Sequence, residues 1–256
     1  MMKYLPLIGL IVGAVLVLLL VFSALFAGAL SGYDPIESSV EERLIPPSQR
    51  HPFGTDALGR DTLSRIVYGF REDLGVGGLA VLVSLVVGGA VGVVAGLVGG
   101  VLYKAAIYAM RFIAAGPGIL FAVAIVSVWR GSLSIVVGIA VLLVPGFTRV
   151  VSGLVLCLKN DNANKGGYLL SALLAVLGRV SLSMALAILV YAGFSFIGLG
   201  AQPPTPELGA MIGEGRMYIR DAAHTLVYPG VALVVSVLSF NILGESLNAV
   251  AVRNVE

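Results

Sequence analysis

Charge is what this sequence is short of. Asp, Glu, Lys and Arg make up 12% of the 256 residues, where a soluble domain carries about 25%. Most of the surface is therefore not built to face water. Cysteine is nearly absent: Cys157 stands alone, so no disulfide can close within the chain. The two histidines, His51 and His224, stand apart, and no His/Cys/Asp/Glu group has metal-ligand spacing. No Gly-x-x-x-x-Gly-Lys-Ser/Thr run occurs, so the usual phosphate cradle for ATP hydrolysis is missing. No Asp, Glu or His falls in the middle of an apolar window, which argues against a proton-coupled carrier. A net charge of +2 gives no reason to invoke nucleic acid. These absences predict no catalytic residue, no metal and no cofactor.

What is present is apolar: 58% of residues are hydrophobic and the mean hydropathy is +1.01. Uncharged windows cover 4–33, 74–103, 112–129, 131–148, 180–206 and 222–244. Each can supply the roughly 20 apolar residues that a spanning helix requires. Hydrocarbon forces backbone groups to pair internally, leaving helices or closed barrels. The windows lack the two-residue alternation of a barrel strand. The expectation is an all-α polytopic membrane protein with about six spans, folded as one transmembrane domain over 1–256. For the first window a cleaved signal peptide is the alternative, but Leu5–Leu30 far exceeds a signal core of about 7–15 residues.

Six spans place both termini on one side. Lys and Arg then divide evenly between the sides, while eleven of the fourteen acids fall on the side opposite the termini. Positive charge in short loops is the stronger determinant of orientation. The reading favoured is termini inside, with outer loops at 31–73 and 198–224 and an inner loop at 158–168.

Within 31–73, Asp61 to Arg71 reads as a short amphipathic surface helix: Leu63, Ile66, Val67 and Phe70 make one stripe. Asp61 and Arg65 are spaced as an i, i+4 pair. Thr55 or Asp56 is a candidate cap, with Gly54 and Gly59 permitting sharp turns. Gly88, Gly92, Gly96 and Gly100 recur every four residues and form a strip for close helix packing. Gly116-Pro117-Gly118 and Pro145-Gly146 are kinks or interruptions. Polar side chains within spans are mild (Ser84, Ser127, Ser134, Ser183, Ser236, Ser239 and Asn241) and can bond across helices or line a path.

Four blocks then carry a resemblance, in order: HPFGTDALGRDTLSRIVYGFR from His51, PGFTR at 145–149, FSFIGLGAQPPTPELGAMIGEGR from Phe194 and PGVALVVSVLSFNILGESL from Pro229. They resemble the C-type permease subunits of the ATP-binding-cassette importers for dipeptides, oligopeptides and nickel, across nearly the whole chain. The resemblance implies a type I importer permease fold in the cell inner membrane, with six spans and both termini cytoplasmic. It also implies a second permease as heterodimer partner, two cytoplasmic ATPase subunits and an external solute-binding protein. Outer partner contacts are expected at Asp56, Gly59, Arg60, Asp61, Arg65, Gln202, Pro203, Pro204, Glu214 and Arg216. The alternative is that these charges only pair with one another in water, at about 0–1 kcal/mol each.

One departure stands out. The family's cytoplasmic coupling helix, with its Glu-Ala-Ala…Gly pattern, has no match here, and the connection is shorter by about 20 residues. An ATPase contact is then expected around Arg149, Lys159, Asp161, Lys165, Tyr168, Gly178 and Arg179. The alternative reading is a degenerate permease-like scaffold that has lost ATPase coupling. Reporter fusions at the two ends are expected to score on the same membrane face; opposite faces would break the six-span layout.

Overall fold

The computed structural model describes residues 5–129, 131–159 and 165–253. Among them every long element is a helix: α1 (Leu5–Leu25), α2 (Ala27–Leu30), α3 (Thr62–Val98), α4 (Gly100–Ala114), α5 (Pro117–Val128), α6 (Ser132–Lys159), α7 (Lys165–Phe196), α8 (Leu208–Gly215) and α9 (His224–Arg253). Five of these, α1, α3, α6, α7 and α9, are long and apolar enough to cross a membrane. Helices α4 and α5 are long enough only together and meet at a 70° bend, so the spanning helices number five, or six with that pair counted as one broken span. Gly116 at φ 123° makes that break, and Pro117, which lacks the N–H a continuing helix would use, opens α5. The chain is thus an all-α polytopic membrane protein.

Two expectations are corrected. The Asp61–Arg71 helix is not a separate surface element: α3 starts at Thr62 and continues unbroken for 37 residues. At 1.5 Å per residue it is about 55 Å long, well beyond a hydrocarbon layer of about 30 Å. The preceding connection therefore ends at residue 61 rather than 73. Likewise α6 runs to Lys159 and α7 begins at Lys165, so residues 158–159 and 165–168 of the expected loop are helical. Pro145 lies buried inside α6 without ending it.

The helices fall into two compact units. One comprises Met1–Val15, Gly78–Ala187 and Ser239–Glu256. Its packing rests on absent side chains. A Cβ on Gly88 would sit 2.7 Å from the Val144 carbonyl oxygen, and one on Gly92 would sit 2.9 Å from that of Thr148. On Gly96 it would sit 2.7 Å from the Val155 Cβ. Three glycines of the predicted strip thus let α3 and α6 touch backbone to backbone. Gly100 does not join them: nothing lies within 4 Å of it, and its φ of 54° serves the turn after α3 instead. Hydroxyls add cross-helix bonds: Ser84 Oγ donates to the Ala140 carbonyl at 3.2 Å and Ser181 Oγ to that of Phe240 at 2.7 Å.

The other unit comprises Leu16–Gly77 and Ile188–Leu238. Ile66 on α3 and Leu208 and Met211 on α8 form its apolar core, flanked by Phe53, Phe70 and Tyr228. Gly209 has no room for a side chain, since its Cβ would sit 2.0 Å from the Ala192 carbonyl oxygen.

Gly92→Leu is expected to destabilise the protein by about 1–3 kcal/mol through overpacking. Gly89→Leu, with nothing within 4 Å, is expected to be near neutral; thermal unfolding in detergent compares the two.

Candidate functional site

In the unit containing residues 16–77, the charged block that interrupts the apolar sequence folds into a buried network. Asp56 is its hub. Its Oδ1 accepts the backbone N–H of Leu58 at 2.8 Å and of Arg60 at 3.0 Å, which shapes the turn. Its Oδ2 accepts Arg60 Nε at 2.6 Å and Arg65 Nη1 at 2.5 Å. Glu214 closes the network from the end of α8, 2.8 Å from Arg60 Nη2 and 3.5 Å from Arg65 Nη2. Arg65 is wholly buried and Arg60 nearly so. Glycine makes the turn possible: Gly59 has φ 76°, and a Cβ there would sit 1.8 Å from the Ser39 carbonyl oxygen.

A second cluster adjoins it. Asp61, not Thr55 or Asp56, caps α3: its Oδ2 accepts the Ser64 N–H at 2.7 Å. Its Oδ1 lies 2.8 Å from Nδ1 of His51, so the expected Asp61–Arg65 pair does not form. Arg65 turns instead to Asp56, which accepts its Nη1, and lies within ion-pair distance of Glu214, while its Nε and Nη2 find no hydrogen-bond partner. His51 is buried under the Tyr33 ring, with centroids 4.7 Å apart. His224 Nε2 lies 3.1 Å from the Thr55 carbonyl oxygen, so neither histidine is isolated in a loop.

The sequence reading missed a third group. Asp73 lies buried in α3, one residue before the uncharged window 74–103, on a stretch expected to be polar loop and surface helix. It meets the Glu207 carboxyl, which is also fully buried. Glu207 is the N-cap of α8, accepting from Gly209 N–H at 2.9 Å and Ala210 N–H at 2.7 Å. Tyr191 OH donates to Glu72 at 3.2 Å beside them. The signal was present: position 73 continues the Ile66–Phe70 stripe, so an acid there had to face inward.

Burial pushes the Glu207 carboxyl up from its ordinary value, against the two backbone N–H groups that hold it down. Glu214 is also raised by burial, with Arg60 opposing. A group raised in the folded state contributes stability below its unfolded value of about 4.3, and that contribution is lost as pH rises through the folded value.

Other expected contact residues are placed differently. Gln202, Pro203, Pro204 and Arg216 are exposed, with Arg216 5.3 Å above the Phe196 ring. In the unit containing 78–187, Arg149 is exposed on α6 and Lys159 Nζ donates to the Leu97 carbonyl at 3.2 Å. Gly178 is buried against Asn248, and Arg179 is half-buried. Asp161 and the side chains of Lys165 and Tyr168 lie outside the described residues. Among the described residues no three His, Cys, Asp or Glu side chains are grouped to hold a metal ion.

Asp56→Asn leaves two buried guanidiniums short of charge and is expected to cost about 3–5 kcal/mol. Gln202→Ala is expected to stay within about 0.5 kcal/mol. Wild type is expected to lose melting temperature from pH 4.5 toward pH 8 more steeply than Glu207→Gln, since the amide cannot ionise (the comparison cancels Glu214, which shares the sign).

No family model matches the chain. Curated proteins do. A dipeptide transport system permease protein of Alkalihalophilus pseudofirmus is 34% identical over 252 residues, covering 93% of this chain and 83% of that protein. A glutathione transport system permease protein of Pectobacterium atrosepticum is 36% identical over 247 residues, covering 90% and 82%. A di/tripeptide transport system permease protein of Pseudomonas aeruginosa is 34% identical over 260 residues, covering 93% and 86%. With full-length likeness of this degree, and helices that match a multi-pass membrane protein, the chain belongs to the permease subunits of the ATP-binding-cassette importers of peptides and glutathione.

Proposed function

We propose that this chain is one half of the membrane path of an importer for peptides or a related small solute, with both termini in the cytoplasm. The single observation that carries this reading is the likeness over about nine-tenths of the chain to dipeptide and glutathione permeases. It pairs with a second permease as a heterodimer. ATP is hydrolysed on two separate cytoplasmic subunits, and an external binding protein delivers the solute. The exposed Gln202–Pro204 edge and Arg216 face the binding protein or the second permease. Asp56, Gly59, Arg60, Asp61, Arg65 and Glu214 act behind that edge, holding its shape through buried ion pairs. The ATPase contact lies at the tip around Lys159, Asp161, Lys165 and Tyr168, with Arg149, Gly178 and Arg179 behind it on α6 and α7.

One observation favours a second reading. Five positions, 160–164, separate α6 from α7, which leaves no length for a separate coupling helix. A helix of two turns needs about seven residues before its connections are counted. On this reading the chain is a permease-like scaffold without ATPase coupling.

Deleting the gene is expected to abolish peptide uptake, and the tagged chain is expected to bring down its partner permease and ATPases. A stable monomer that retains no ATPase would sink the first reading. Inserting a Glu-Ala-Ala-type helix between Leu158 and Leu169 is expected to raise ATPase retention; no gain would favour the scaffold.

A further inference from the structure

Among the described residues, two arginines of the unit containing 78–187 have no acid to answer them. Arg179 on α7 lies against α6 at Gly146, where any Cβ would sit 1.8 Å from its Nη2. Its guanidinium is 5.8 Å from the centroid of the Phe147 ring. Arg149 is three residues beyond Gly146, so it stands on the same face of α6 one turn along. The two cations repel. Among the described residues neither forms an ion pair, and the buried Nε of Arg179 has no hydrogen-bond partner. Glu245 on α9 is exposed and reaches neither. A half-buried guanidinium with an unused donor, beside a second, exposed cation, calls for an anion with several acceptor oxygens.

The depth of the pair identifies the source. Trp129, exposed just before α6, is the residue type that marks a membrane–water interface. From Ser132 to Arg149 the helix rises about 26 Å, close to the roughly 30 Å of a hydrocarbon layer. The pair therefore sits at the opposite headgroup level. Seven residues on from Arg179 along its own face, Leu186 is exposed and gives an acyl chain an apolar contact. A phosphate ester carried on acyl chains satisfies both the charge and the apolar contact.

We propose that Arg149 and Arg179 form a binding site for the phosphodiester of an anionic phospholipid. Gly146 is part of the site, because only glycine leaves space for the Arg179 guanidinium there. The site does not depend on which solute is carried, and it shares Arg149 and Arg179 with the proposed ATPase contact.

Native mass spectrometry of the full chain in neutral detergent tests this, with phosphatidylglycerol, phosphatidylcholine and inorganic phosphate as probes. Phosphatidylglycerol is expected to bind about tenfold or more tightly than phosphatidylcholine, with inorganic phosphate at equal concentration unable to displace it. Arg149→Gln and Arg179→Gln are each expected to weaken it about tenfold, and Arg179→Lys to recover part of the loss. Arg149 is exposed, so its variant reports even if Arg179→Gln fails to fold. Unchanged phosphatidylglycerol binding in Arg149→Gln overturns the site. Saturation by inorganic phosphate alone overturns the lipid assignment. Loss of ATPase retention with lipid binding intact would give the pair to a protein acid instead. Failure of the import reading would leave the lipid binding unaffected.

Discussion

One carboxylate, that of Asp56, holds two buried arginines in place. Arg60 and Arg65 converge on its Oδ2, and Glu214 takes their remaining charge. Such a pair of cations is tolerated out of water only while every partner stays, since an unmatched buried charge costs more than the pairing yields. The constraint reaches through the unit. The turn at 54–61, the first turns of α3 and the end of α8 are all fixed by it, and Ile66, Leu208 and Met211 pack beneath. The apolar contacts supply burial, and the ion pairs fix which surfaces meet.

The sequence made the bilayer-crossing helices easy to see because hydrocarbon removes every alternative for a long uncharged run. It made their ends hard to see. The uncharged window at 74–103 opened only after charged residues, yet Arg65, Glu72 and Asp73 all lie inside the same helix. Charge marks a helix end only where it meets water or headgroups, and here it meets other charges inside the protein. The same reason hid the Asp73–Glu207 pair, whose members stand far apart along the chain. Asp56, Gly59 and Arg60 were recognisable as a local motif, but their partner Glu214 is supplied by a segment 154 residues away from Arg60.

The membership in a permease family fits what the chain lacks. It has no phosphate-binding loop of its own, and in these importers hydrolysis belongs to separate ATPase subunits. Its helices instead show devices for close approach, with glycines under α6 and hydroxyls bonded to neighbouring carbonyls.

The seating of α8 has a mechanical meaning. With the Gly209 backbone pressed on the carbonyl of Ala192 and Glu207 bonded to the first amides of α8, no side chain separates α8 from the last turns of α7. A displacement of α8 therefore passes to the end of α7 through backbone contact.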